Sequence, residues 1–131
     1  MKWYCHIISI LSVLAIINHF IPLNALSITF AVLGSLAPDI IERAFFLNHR
    51  NKYVHNFLTG ILILCLFSII EPSSFTFGIA YIHHLLLDIT KGGVYIGNKR
   101  IRGFLNNTNP LHNVFVILIH VFLLLAVIGV T

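Results

Sequence analysis

Tyr81–Thr90 reads YIHHLLLDIT, an apolar run that carries two histidines and an aspartate. Whether this run is one more membrane helix decides how the whole chain is laid out. As a helix it sets His84 and Asp88 four residues apart on one face, with Cβ atoms about 5–6 Å apart. That separation suits two side chains gripping one cation. The rest of the chain is then read for what else it brings to the same place.

The chain of 131 residues has room for one domain, here residues 1–131 as a single integral membrane unit. It is 58% hydrophobic and 9% charged, with a mean hydropathy of +0.95. A soluble domain usually carries about 25% charged residues, so this chain lacks the polar surface that water requires. The net charge of +4 is too thinly spread on too apolar a chain for nucleic acid. It fits orientation in a membrane and contact with anionic lipid. Cys5 and Cys65 have no metal-type spacing and read as small packing residues. Lys2 followed by an apolar run resembles the opening of a signal peptide. With no good cleavage site behind it, the run reads as a retained first span.

Five apolar segments follow one another: residues 6–21, 23–37, 53–70, 75–89 and 111–130. The second ends at Pro38 and a charged turn. The second and fourth are short for a span, which takes about 20 residues. Charge decides in their favour. If all five segments cross, Lys2, Arg43, Arg50, Lys52, Lys91, Lys99, Arg100 and Arg102, all eight Lys and Arg, fall on one side. The positive-inside rule then predicts an all-α bundle of five spans in the inner or plasma membrane. Its N-terminus is cytoplasmic and its C-terminus outside. The Asp88–Pro110 stretch reads as a loop without a phosphate-binding pattern, and the sequon Asn106-Asn107-Thr108 is discounted as cytoplasmic. Gly34, Ser35, Gly60, Gly78 and Ala80 lie within spans and allow close helix approach.

This topology gathers polar chemistry. His6 opens the first span, Asp39 and Glu42 follow the second, and His49, Arg50 and His55 precede or open the third. His84 and Asp88 close the fourth. Three of the four acidic residues and five of the eight histidines, His83 included, thus lie towards one membrane face. Ionisable groups in spans cost roughly 2.5–3.5 kcal/mol at the core centre and commonly mark function. Each residue alone has a plainer reading, such as an Asp39–Arg43 pair at i,i+4. As a group, His and carboxylate ligands from several helices point to a metal site. Mixed nitrogen and oxygen ligation suits zinc, manganese or iron better than calcium. No H-E-x-x-H or G-x-S-x-G signature is present.

In order, the motifs are an early His, GSLAPDIIER, NHRNKYVHN and AYIHHLLLDITKGGV. Together they resemble the YdjM-like family of small multi-spanning membrane proteins, described as metal-dependent hydrolases. That family shows an early His, L-x-P-D-x-D-H, H-R-x-x-T-H-S and H-x-x-x-D-x-x-T-P-x-G-V. The resemblance covers His6 to about Val94. His6 matches the early His and Asp39 the first Asp of the second motif. His49, Arg50 and His55 match the third motif with one extra residue between the histidines. His84, Asp88 and Gly93-Val94 match the fourth with one residue fewer. Ile41 stands where the family has its second Asp and Glu42 where it has His. Asn56 replaces Ser, and Lys91-Gly92 replaces the step with Pro.

The expectation is a membrane hydrolase with a divalent metal, zinc first, held by His6, Asp39, His55, His84 and Asp88. Glu42 or His49 would transfer protons, and Arg50 with Lys91 would hold an anionic substrate. Membrane lipids are the expected partners, and a phospholipid or lipid-linked phosphate the expected substrate. Lys99, Arg100 and Arg102 would add attraction to an anionic surface. Two rivals stand beside this: a non-enzymatic membrane protein with a structural His/Asp cluster, and a small transporter. A transport path should thread the bilayer, whereas the acidic residues crowd one face and only His120 lies deep.

Overall fold

Among the described residues, apolar runs broken by Asn, Pro and Gly give five helices. A computed structural model of the chain describes residues 2–103 and 110–129, with Lys91 described by its backbone alone. The helices are α1 (Trp3–Phe20), α2 (Ala25–Ala44), α3 (Phe57–Ile70), α4 (Phe75–Lys91) and α5 (Pro110–Gly129), and a 3-10 turn at Pro72–Ser74 leads into α4. The fold is an all-α bundle. The sequon at residues 106–108 lies outside the described residues.

Local chemistry sets the helix starts. The Asn24 side chain caps α2 by accepting from the Ser27 N–H at 2.8 Å, and Asn56 caps α3 by accepting from Leu58 N–H at 3.1 Å. Two boundaries differ most from the sequence reading. α2 does not stop before Pro38 but runs through it to Ala44. Proline removes one rung of the helix ladder, a loss that packed apolar helices tolerate when neighbours satisfy the freed groups. The third helix begins at Phe57 rather than Tyr53, because Asn51–Asn56 form turns that end in the Asn56 cap.

α4 packs on both α2 and α3, while α1 packs on α2 and α5. Glycine makes two of these approaches close. A Cβ on Gly34 would run into the backbone of Phe77, and one on Gly78 into Leu64, so α4 lies nearly in backbone contact with both neighbours. Ile10, Leu14, Ala31 and Ala80 form one apolar core, and Ala37, Tyr81, Leu85 and Val94 another. The outer faces carry Phe20, Ile69, Phe122 and Leu125, all largely exposed. α1, α2 and α5 are long and apolar enough to cross a membrane; α3, at 14 residues, and α4, at 17, are shorter.

The stretch after Asp88 is not simply a loop. Val94–Ile96 (β1) and Lys99–Ile101 (β2) pair as an antiparallel hairpin around Gly97-Asn98, with Gly97 at φ +59°. The hairpin is stitched to the turn before α3. Tyr95 N–H donates to the His55 carbonyl at 2.7 Å, and the Asn56 amide exchanges bonds with Gly97, donating to its carbonyl at 2.9 Å and accepting from its N–H at 3.2 Å. Tyr81 OH donates to the Val54 carbonyl at 2.6 Å from the α4 side. The backbone around His55 is thereby held from two directions.

Candidate metal centre

The start of α1, the end of α2, the turn before α3 and the end of α4 meet at one end of the bundle, so successive helices run in opposite directions. They bring together all five residues expected as ligands. His6, His55 and His84 have no solvent exposure and Asp88 has 1%. The Asp39 side chain retains 23% and forms the one open edge of this group.

Asp88 sits at the centre. Its Oδ1 lies 3.6 Å from His6 Nε2, and its Oδ2 lies 3.4 Å from His55 Nε2 and 3.8 Å from His84 Nε2. Asp39 Oδ1 lies 3.8 Å from His55 Nε2 and 3.9 Å from His84 Nε2. None of the three Nε2 atoms has a hydrogen-bond partner. Buried imidazole nitrogens normally find one. Two donors each about 2.1 Å from one tetrahedral ion stand about 3.4 Å apart. The nitrogen-to-oxygen distances are thus too long for good hydrogen bonds and close to those between ligands sharing an ion.

Two of the three rings are backed from behind. His84 Nδ1 donates to the Ser35 carbonyl at 2.7 Å, in the turn of α2 that Pro38 interrupts. That leaves the Nε2 lone pair facing the cluster. His55 Nδ1 lies 2.7 Å from Glu42 Oε1, a carboxylate behind the ring that likewise turns Nε2 forward. Such backing is the usual second layer of a metal-binding histidine. The candidate groups His6, His84, Asp88 and Asp39, His55, His84 overlap at His84. One lone pair serves one ion, so His84 cannot complete both groups at once; a third group, Asp39, Glu42 and His49, shares Asp39 with the second. These groups can hold a metal ion.

The residues expected to do chemistry or bind substrate are placed more unevenly. Glu42 is buried, and its carboxylate accepts from the Arg50 N–H at 2.9 Å, from the Asn51 N–H, and faces His49 Nδ1 at 3.2 Å as well as His55. It organises the turn after α2. The His49 side chain is 71% exposed. Arg50 is buried, with φ +60°, and its NH2 group lies 3.6 Å from Asp88 Oδ2. A Cβ on Gly92 would occupy the position of that guanidinium, so Gly92 makes room for Arg50 beneath the site. Arg50 therefore faces Asp88 and not an open surface. Lys91's side chain lies outside the described ones. Among the described residues Asp39 and Arg43 form no ion pair, because Asp39 is turned inward to the histidines.

His83, which points away from the cluster, meets His120 of α5, with the two Nε2 atoms 3.1 Å apart. The sequence reading missed the Ser35 carbonyl and the hairpin. A backbone acceptor leaves no trace in residue identity. The hairpin did have a signal, since VYI and KRI flank the two turn residues Gly97-Asn98. Comparison of the chain with protein-family models, with curated proteins and with solved structures gave no match.

Proposed function

We propose that this protein is a membrane-embedded, metal-dependent hydrolase with one divalent ion held by His6, Asp39, His55, His84 and Asp88. The observation that carries this is the set of three buried Nε2 atoms, each without a hydrogen-bond partner, converging on two aspartates. Three nitrogens and two carboxylates favour zinc, with manganese or iron as alternatives. When bound, such an ion would lower the pKa of its water towards ~7 and so supply hydroxide at neutral pH.

The surrounding residues then have separate roles. Glu42 positions His55 and His49. Arg50 holds Asp88 from beneath. His49, exposed beside Asp39, is the group that returns a proton to the leaving oxygen. In hydrolysis of a phosphoester the water oxygen bonds to phosphorus and the bond to the leaving alkoxide breaks. One proton of the water ends on that alkoxide. The basic residues' distribution supports placing the site at the cytoplasmic interface.

Metal content of the detergent-purified protein tests the reading. Stoichiometric zinc, manganese or iron that is lost in His84→Ala and Asp88→Ala variants supports it. A metal-free wild type, with the variants folding normally, would leave a structural polar cluster and sink the enzyme.

A further inference from the structure

We propose that the cleft beside Asp39 binds the phosphate headgroup of a membrane amphiphile, with Lys2 and Arg43 holding the anion and Phe46 and Leu47 bordering its chains. The proposal rests on the hydrolase reading for the fate of the bound group, and its binding step is separable from it.

Access points to the cleft first. Four of the five ligand side chains are sealed in the bundle and only Asp39 is partly open. A cleft of about 670 Å³ is lined by Asp39 at that open edge, within the range of about 300–1,000 Å³ usual for small-molecule sites. Whatever reaches the ion arrives through it.

Charge narrows the occupant. The cleft is lined by two cations, Lys2 and Arg43, and by the carboxylates of Asp39 and Glu42. Both carboxylates are already committed: Asp39 faces His55 and His84, and Glu42 accepts from the turn at Arg50-Asn51. Among the described residues neither Lys2 nor Arg43 is in an ion pair. Of the other described cations, Arg50 lies under Asp88, and Arg100 lies over Tyr95 with a bond to the Gly92 carbonyl. Two unpaired cations beside a divalent ion call for an anion with several oxygens, and phosphate meets that need.

The rim identifies its source. Phe46 is 95% exposed and Leu47 borders the same cleft. Phe46 also holds a left-handed backbone, φ +52°, at the end of α2, which turns the chain where the cleft opens. A free phosphate ion has no use for an apolar mouth; the chains of a lipid do. Asn113, near the start of α5, also lines the cleft.

Binding is measured on the full chain in detergent, with bound metal assayed in every sample. The probes are dihexanoyl phosphatidic acid, dihexanoyl phosphatidylcholine and inorganic phosphate. The wild type should bind phosphatidic acid about tenfold more tightly than either other probe. Lys2→Gln/Arg43→Gln should lose about that factor with metal content unchanged, and Phe46→Ser should weaken the lipid but not inorganic phosphate. Wild-type affinity in the double variant overturns the proposal. Inorganic phosphate binding as tightly as phosphatidic acid overturns the lipid as occupant. Binding that depends on Lys2 and Arg43 in a protein without metal, or without turnover, leaves the cleft standing and sinks the hydrolase alone.

Discussion

His84 shows how much one side chain depends on what stands behind it. Its Nδ1 proton goes to the Ser35 carbonyl, which removes the choice of tautomer and presents Nε2 to Asp39 and Asp88. His55 has the Glu42 carboxylate behind its ring, 2.7 Å from Nδ1. Glu42→Gln keeps the shape and removes the charge behind His55. It should weaken metal binding by about 10–100-fold, the usual effect of losing a carboxylate behind a ligand. Competition with a coloured chelator reads this directly, and unchanged affinity would remove Glu42 from the site's support. Gly92 makes a different case. Its missing side chain is the space that Arg50 fills. Gly92→Ala should destabilise the protein by about 1–3 kcal/mol through overpacking, seen as a lower melting temperature in detergent. The expectation fails if melting is unaltered.

Among the elements, α4 is the one on which the others are arranged, and its two glycine-mediated approaches set the depth of the site. A bulky side chain at Gly34 would separate α2 from α4 and carry Asp39 away from His84. Gly34→Leu should therefore lose metal as well as stability, whereas Leu26→Ala on the exposed face of α2 should lose neither; metal analysis beside thermal melting distinguishes the two. The hairpin acts at the same scale. It contributes no ligand, yet the Asn56 amide ties it to the turn that carries His55. Asn56→Ala removes both this tie and the α3 cap. A cost of about 1–3 kcal/mol is expected, with weakened metal binding despite every ligand being present. Retained metal affinity would show that the turn holds its shape without the hairpin.

At the scale of the molecule, up-and-down alternation brings two helix starts and two helix ends to one place, with the start of α5 beside them. The site therefore joins segments from His6 to Asp88. An ion that bridges them stabilises the folded state by mass action, because the unfolded chain offers no such site. Stripping the protein with a strong chelator should lower its melting temperature, and restoring the metal should raise it again. The His84→Ala variant should not respond. Equal response of both proteins would place the ion elsewhere.

Composition and the spacing of Pro and Asn already mark an apolar, helical chain with segments long enough to cross a membrane, since they express burial and capping locally. Its charge pattern also carried the gathering of His6, Asp39, His55, His84 and Asp88. Charge segregation is a one-dimensional record of which helix ends share a side. Only the tertiary structure decided the rest. Pro38 lies within α2, which packs closely on α4 at Gly34. Arg50 turns inward to Asp88, and the cations on the open cleft are Lys2 and Arg43. The direction in which a long side chain points is set by the helix packed against it, and no residue type specifies that alone.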